Sequence, residues 1–308
     1  MDVSIIVVNY NKYEDTIACV ESLLNMHSRH FADIIIVDNC STNDSYNILK
    51  EHFKDLRITL LYADENRGYC AGNNIGIAYA QQNVIPNYYW ILNPDTIVDS
   101  MAMTALIEFA ENHDDAGLIG SKLIYYPDND RIQALGGGYI NKKFGIISFT
   151  HIFHGDIVTK KLPAYIELDL LIGASFFIKK EVIEMIGLMN ESYFLYCDEN
   201  EYCLRAKHNG WKLYGVSSSI VWHKEGWRKQ EQKCWSQYYT VRNSLFLIQR
   251  YYQKYIYINI LYKFYISFRL LCGIFLLRQN SFIMFLYTVQ GIFDFLINKK
   301  GKVIKNIK

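Results

Sequence analysis

The first 125 residues alternate between two hydrophobic periods. Uninterrupted apolar runs at 3–8, 34–37, 58–62 and 88–92 have the length and β-branched content of strands covered on both faces. Between them, 14–26, 44–53 and 71–82 carry apolar residues at helical spacing; in the first, Ile17, Val20, Leu23 and Leu24 recur on one side. Thr42 or Asn43 is placed to cap the second helix. A βαβα run of this kind predicts an α/β fold with a mostly parallel sheet and right-handed crossovers. A helix near 101–112 and a strand near 117–124 follow. The Gly-rich stretch 126–165 reads as a long loop or small hairpin insertion over the site. Then come a strand over 166–179, a short helix at 180–187, a helix over 198–209, and strands at 211–216 and 219–222 that lead to His223. From about residue 234 the chain reads as helical.

Sheets of this type bind ligands at the carboxyl ends of their strands. Polar clusters sit at those ends: Asn9-Tyr10-Asn11, Asp38-Asn39, Asp64-Glu65-Asn66 and Asn93-Pro94-Asp95. Asp38 is either a turn or cap residue or an acceptor for a nucleobase N–H. The stretch Glu65–Gly76 places Asn66, Asn73 and Asn74 with Gly68, Gly72 and Gly76 at a strand-to-helix transition. It is not the G-x-G-x-x-G fingerprint, and glycines four apart also suit close helix–sheet packing. Asp95 follows a proline that keeps Asn93 extended, and a carboxylate there is a reasonable ligand for Mg²⁺ or Mn²⁺. His223, between Trp222 and Lys224, is either a second functional group at a strand end or a packed histidine. Asp198, Glu199 and Glu201 are either the acidic start of a helix or a general base with neighbouring acids that raise its pKa.

Composition narrows the class. Of 308 residues, 51% are apolar and 20% charged, which excludes a disordered chain. The formal net charge of +1 hides an asymmetry: residues 249–308 hold ten Lys or Arg against Asp294 alone, leaving the body acidic. An acidic body disfavours nucleic acid as a partner, while a basic, aromatic tail is expected to face something anionic, foremost a membrane surface. The longest uncharged stretch of the tail, Gln279–Phe293, is fifteen residues, short of the roughly 20 needed to span a bilayer. Lys254, Lys263, Arg269 and Arg278 interrupt the tail, and Lys299, Lys300, Lys302, Lys305 and Lys308 end it. Interfacial helices on anionic lipid are one reading; packing on the body, or on a second subunit as a homodimer, is the other. Seven widely spaced cysteines fit a reducing compartment. Only Met1 and Asp2 precede the first strand, so no signal peptide is expected. The expected location is cytoplasmic, peripheral on the inner face of the cell membrane, with a catalytic domain over 1–247 and a helical tail over 248–308.

Several stretches, in this order and spacing, resemble the family 2 glycosyltransferases, and within them the bacterial rhamnosyltransferase-like and galactofuranosyltransferase-like branch. They are Val3–Asn11, Ile35–Asp44, Asn66–Gly76, Trp90–Thr96, Gly173–Ile178, Phe194–Trp211 and Trp222-His223. The resemblance implies the GT-A fold, an α/β sandwich that binds a nucleotide-sugar and transfers the sugar with inversion. It implies that Asn9 and Asn11 line the nucleotide pocket, that Asp38 reads the pyrimidine, and that Asn66, Gly68 and Asn73 belong to the base and ribose region. Asn93-Pro94-Asp95 stands where the family often has Asp-x-Asp, making Asp95 the metal-contacting acid, Asn93 a ribose or phosphate contact, and His223 the completing ligand. Glu199 takes the position of the base, with Asp198 as the alternative, and Arg242 approaches the diphosphate. The implied donor is a dTDP- or UDP-sugar, dTDP-rhamnose first and UDP-hexose or UDP-galactofuranose second. The implied acceptor is a glycan or a polyprenyl-diphosphate-linked chain. A nucleotidyltransferase is disfavoured because Val7–Lys12 has no glycine. A degenerate nucleotide-sugar or glycan-binding protein is the non-enzymatic alternative.

Overall fold

A computed structural model describes residues 2–30, 32–128, 130–225, 234–275 and 281–303, with the backbone alone over 270–275. Arg278, Lys305 and Lys308 of the basic tail lie outside the described residues. The first half alternates as its periodicity requires: β1 (Val3–Asn9), α1 (Tyr13–Leu24), β2 (Ala32–Asp38), α2 (Ser45–His52), β3 (Ile58–Tyr62), α3 (Tyr69–Asn83), β4 (Tyr88–Leu92), β5 (Thr96–Val98), α4 (Ala102–Asn112) and β6 (Ala116–Tyr125). The second half continues with β7 (Ile132–Leu135), β8 (Gly137–Asn141), β9 (Ser148–His151), β10 (Tyr165–Leu168), β11 (Leu170–Leu171), β12 (Ser175–Lys179), α5 (Lys180–Ile186), α6 (Asp198–His208) and β13 (Lys212–His223). Three helices close the chain: α7 (Cys234–Tyr251), α8 (Ile256–Phe275) and α9 (Ser281–Leu296).

Among the described residues, one ten-stranded sheet runs β10-β13-β6-β12-β4-β1-β2-β3, with β5 paired to β13 and β7 to β6. β3, β2, β1 and β4 are mutually parallel, as are β6 and β13, while β12 runs antiparallel between β4 and β6. Every residue of β1 is buried. Its side chains alternate, so Val3, Ile5 and Val7 join a core with α1 and α4, and Ile6 and Val8 join one with α3 and α6 on the opposite face. The continuous apolar runs thus reflect cover on both sides. A Cβ on Gly72 would lie 2.7 Å from Val8 and one on Gly76 2.6 Å from Ile6. The four-residue glycine spacing therefore serves close packing of α3 on β1.

Three local expectations change. The single strand expected over 166–179 is β10, β11 and β12, with Asp169 and Ile172–Ala174 between them. The strands expected at 211–216 and 219–222 are one strand, β13, with a register shift between Val216 and Ile220. The Gly-rich insertion pairs β7 to the main sheet and builds a small sheet in the order β11-β8-β9. Its glycines allow this: a Cβ on Gly137 would strike the Leu170 carbonyl. The expected division at residue 247 falls inside α7, which packs against α6 on one side and α8 and α9 on the other.

Gly137→Ala should cost about 1–3 kcal/mol in urea unfolding, because the added methyl has no space beside β11. Unchanged stability would show that the small sheet gives way freely.

Candidate active site

The antiparallel pairing of β13 with β5 sets His223 opposite Thr96, and the Lys224 N–H donates to the Asp95 carbonyl at 2.8 Å. Two residues far apart in sequence thereby become neighbours. His223 Nε2 lies 3.3 Å from Asp95 Oδ1, yet without hydrogen-bond geometry, and that buried oxygen has no hydrogen-bond partner. On the other side of the ring, Gln133 Nε2 donates to Glu225 Oε2 at 2.7 Å. An ionised carboxylate only accepts, so the Gln133 amide is oriented with Oε1 toward His223 Nδ1, 2.9 Å away. Nδ1 therefore carries hydrogen and Nε2 is the nitrogen turned to Asp95. Burial alone would push His223 down and Asp95 up. Their mutual attraction wins at both, leaving the imidazole above and the carboxyl below their ordinary values. A neutral Nε2 and a carboxylate oxygen this close are two acceptors, and they are satisfied only by a proton or a cation between them. Among the described residues no three His, Cys, Asp or Glu side chains form a metal site. Asp95 and His223 fit a divalent ion as two ligands that leave its other positions open, as Mg²⁺ sites completed by substrate phosphates do.

Asp198 and Glu199 open α6. With Asn93, Asp95 and His223 they line a cavity of about 400 Å³, walled also by Tyr69 and Leu195. Asp198 is 3% exposed and accepts from the Cys70 thiol at 3.4 Å. Burial, and after it the charge and hydrogen bond of Asp198, push the Glu199 carboxyl well above its ordinary value. The chain leading into α6 is left-handed at Phe194, Tyr196 and Cys197, with φ of 67°, 65° and 63°, a conformation that costs roughly 1–3 kcal/mol per residue. Asn243 holds it there. Its Nδ2 donates to the carbonyls of Tyr193, Leu195 and Tyr196 at 2.9, 2.7 and 2.9 Å. Gly68, itself at φ 102°, has no room for a Cβ beside the Phe194 carbonyl, and the Tyr69 N–H donates to that carbonyl at 3.0 Å.

A second cavity, of about 490 Å³, shares the walls Tyr69 and Leu195 with the first. Val8, Tyr10, Asn39, Asn66 and Gly68 line its sheet side, and residues of α7, α9 and the 302–303 segment its outer side. Asn39 Nδ2 donates to Asn66 Oδ1 at 3.3 Å and to the Gly68 carbonyl at 3.0 Å. That leaves the buried Asn39 Oδ1 as an acceptor with no partner. A third cavity, beside Asp2, Asn87 and Tyr88 at the amino ends of β1 and β4, gathers none of these groups.

The expectations for the nucleotide pocket need correction at several residues. Asp38 does not face either cavity: it is fully buried, with Oδ1 accepting from the Ser41 N–H and Oδ2 from Asn9 and the Ser41 hydroxyl. Asn9 is likewise a strut, bonded to Asp38, Ser41, Lys12 and Thr16. Asn11 ties the first loop to Thr42 and Asn43. Asn73 is buried and donates to the Tyr69 carbonyl. Arg242 does not approach the cavity of Asp95. Its guanidinium is fully buried and donates to Asn243, Tyr238 and the carbonyls of Gly301 and Tyr193. Tyr69 and Gln133 are the residues here that sequence reasoning passed over; Asn39, in the strand-end cluster with Asp38, and Asn243, in an Arg-Asn pair with Arg242 that resembles the family, were noticed without the roles described above. Asn39, one position beyond the buried Asp38 at a strand end, had a signal in its place; Gln133, inside an apolar run, had none.

The sequence profile of glycosyl transferase family 2 matches residues 4–186, more than half of the chain. The chain belongs to glycosyltransferase family 2. Among relatives, the low-salt glycan biosynthesis hexosyltransferase of Haloferax volcanii is 26% identical over 67% of this chain and 62% of its own length. The chain thus spans less than two thirds of that relative. The dTDP-rhamnosyl transferase RfbF of Shigella flexneri is 23% identical over 70% of this chain and 71% of its own. Rhamnosyltransferase WbbL of Escherichia coli is 27% identical over 72% and 83%. Among solved structures, GalNAc-T7 with UDP, GalNAc and Mn²⁺ aligns with a TM-score of 0.64 at 16% identity, covering 83% of this chain and 49% of that one. S. aureus TarS 1-349 with UDP-GlcNAc aligns at 0.53 and 14%, over 81% and 67%. The fold is GT-A, with a mostly parallel central sheet and C-terminal helices.

The Asn243 amide holds the segment that leads into Asp198 and Glu199. Asn243→Ala should therefore destabilise the fold by about 1–3 kcal/mol, since buried carbonyls lose their donor. It should lower turnover more than donor affinity. A variant with unchanged turnover would separate Asn243 from the acid pair.

Proposed function

We propose that the chain is a metal-dependent inverting glycosyltransferase. It moves a sugar from a dTDP- or UDP-linked donor to a hydroxyl of a cell-surface polysaccharide or a polyprenyl-diphosphate-linked acceptor. The observation that carries this reading is the cavity gathering Asp95, His223 and Glu199, which shares its walls Tyr69 and Leu195 with a second cavity lined by Asn39. The second cavity suits a nucleoside. Tyr10 supplies an aromatic face, and the free Asn39 Oδ1 matches the N3–H of uracil or thymine but not N3 of cytosine, itself an acceptor. dTDP-rhamnose ranks first because the Shigella and E. coli relatives are named for rhamnosyl transfer. A UDP-hexose ranks second, favoured by the neighbour with UDP-GlcNAc.

Breaking the glycosidic bond puts negative charge on the diphosphate. Asp95 and His223 would hold a divalent cation, Mg²⁺ or Mn²⁺, which would supply Lewis acidity to that leaving group. Gln133 keeps hydrogen on His223 Nδ1 and so keeps Nε2 turned to Asp95. Glu199 accepts the proton of the acceptor hydroxyl as that oxygen attacks C1 from the face opposite the diphosphate. A single displacement inverts the centre. Glu199 takes this role before Asp198 because Asp198 is the more buried and its Oδ2 already accepts from Cys70.

A raised carboxyl acts as a base only once deprotonated, so transfer should rise with pH through a value above the ordinary carboxylate range. Glu199→Gln should lower turnover by about 10²–10⁴ with donor binding retained. The same shift favours the protonated acid in the folded state. Wild type should lose stability as pH climbs from the ordinary value through the raised one, and Glu199→Gln should not. Undiminished turnover in the variant would remove Glu199 as base and favour a binding protein or another base.

By calorimetry, UDP and dTDP should bind more tightly than CDP, and Asn39→Ala should weaken the first two by about tenfold while leaving CDP unchanged. Equal affinities of all three for wild type would sink the base-reading role.

A further inference from the structure

Helix α8 is inside out. Asn259, Lys263 and Ser267, four residues apart, form its inward side, while Tyr257, Leu261, Phe264, Tyr265 and Phe268 are exposed. The inward polar groups have work there. Asn259 accepts from the Ile147 N–H and donates to the Gly145 carbonyl, both at 3.0 Å, and the Ser267 hydroxyl donates to the Phe264 carbonyl at 2.7 Å. Helix α9 packs on α8 and, while burying Tyr287, Ile292 and Phe295, shares its exposed apolar side. It buries Ser281, Thr288 and Asp294, the last accepting from Tyr238 at 2.7 Å, and exposes Phe282, Phe293 and Leu296. A helix on a water-facing surface turns its apolar stripe inward. Two adjoining helices that turn polar residues inward and leave this many large apolar side chains outside present a face suited to an apolar neighbour. The 143–145 turn extends the same face: Phe144 is 82% exposed, and a Cβ on the adjacent Gly145 would lie 3.3 Å from Ile258 and Tyr255.

Charge selects the neighbour. Lys142, Lys143, Lys254, Arg269, Lys299 and Lys300 are exposed around this face. The single acid of residues 249–308, Asp294, is buried. A second copy related by a two-fold axis would set basic rim against basic rim. Anionic headgroups are attracted to it. Among the described residues no helix is long and apolar enough to cross a membrane, so contact is by helices lying in the interface.

We propose that α8, α9 and the Phe144 turn seat this chain on an anionic bilayer, apolar side chains among the acyl boundary and basic side chains at the headgroups. The proposal stands on polarity and charge alone and does not need the transferase reading.

Flotation of the full chain with phosphatidylcholine vesicles, with and without phosphatidylglycerol, tests it. Wild type should float with the phosphatidylglycerol vesicles and be released by high salt. Leu261→Asp with Phe268→Asp should lower binding by more than about tenfold, since each change removes an apolar side chain from the boundary. Phe268→Trp should bind as wild type. Circular dichroism confirms that the aspartate variant folds; should it not, Lys299→Glu with Lys300→Glu carries the test, with an expected loss of about tenfold or more. Failure of wild type to float, or flotation indifferent to these substitutions, overturns the proposal. So does a dimer in light scattering that the same substitutions dissolve without any vesicle binding, which would assign the face to a second copy.

Discussion

The amide of Asn243 donates to three carbonyl groups, those of Tyr193, Leu195 and Tyr196, in a segment that runs left-handed into α6. Without those bonds, Phe194, Tyr196 and Cys197 would relax toward ordinary backbone angles and the first turn of α6 would move with them. Asp198 and Glu199 sit on that turn, so the position of the acid pair depends on a helix far along the chain. Arg242, beside Asn243, links the same carbonyl of Tyr193 to Tyr238 and to the carbonyl of Gly301. Helix α7 in turn depends on α9, where Gly291 allows approach to Tyr238 and Val241. Acid loop, tail helices and terminal segment are one mechanical unit built around two adjacent polar residues, each buried and each bonded.

The two charged centres of the main cavity are prepared in opposite senses. At Asp95 and His223 the arrangement wants a positive charge: each group stabilises the charged form of the other, and an oxygen is left without a hydrogen bond. At Asp198 and Glu199 it resists a second negative charge, because burial and the neighbouring acid both favour a protonated Glu199. The first centre suits a leaving group that accumulates negative charge. The second suits a base that gains a proton during the reaction and is relieved by gaining it. Both preferences arise from burial combined with one neighbour, so they are properties of the fold before any ligand binds.

The sheet was readable because β1, β2 and β4 are covered on both faces, and double cover leaves continuous apolar runs that few other arrangements produce. The strand ends were readable for the same reason: polarity returns where cover stops. Which polar residue faces the ligand was not. Asp38 closes β2 with its side chain inside and saturated, and the turn that follows exposes Asn39 to the cavity. Consecutive residues at such a corner point in different directions, and composition does not distinguish them. Gln133 and Asn243 were hidden more deeply. Each acts by orienting another group, His223 in one case and a run of carbonyls in the other, and an orienting role leaves no pattern in the residue's own neighbourhood. The Gly-rich insertion concealed β7 because short strands with glycine at their ends lack periodicity long enough to read.

The tail shows why periodicity identifies two faces of a helix without saying which is inside. Asn259, Lys263 and Ser267 form a polar stripe on α8 that, by the ordinary rule, belongs in water. In the fold it is inward, where Gly145 and Ile147 supply the partners of Asn259. A boundary drawn at residue 247 on the change of composition therefore separates residues that function together, since Arg242 and Asn243 lie on one side and Gly291 and Gly301 on the other. The compositional change is real but marks a change of surroundings. Up to α7 the apolar residues turn toward the sheet; in α8 and α9 many of the largest turn away from it, and of the inward polar residues Asn259, Ser267, Thr288 and Asp294 are held by hydrogen bonds. Inverted polarity is tolerable only when both conditions hold, satisfied polar groups inside and an apolar contact outside. The hydrogen bonds of Asn259, Ser267, Thr288 and Asp294 meet the first for those four residues.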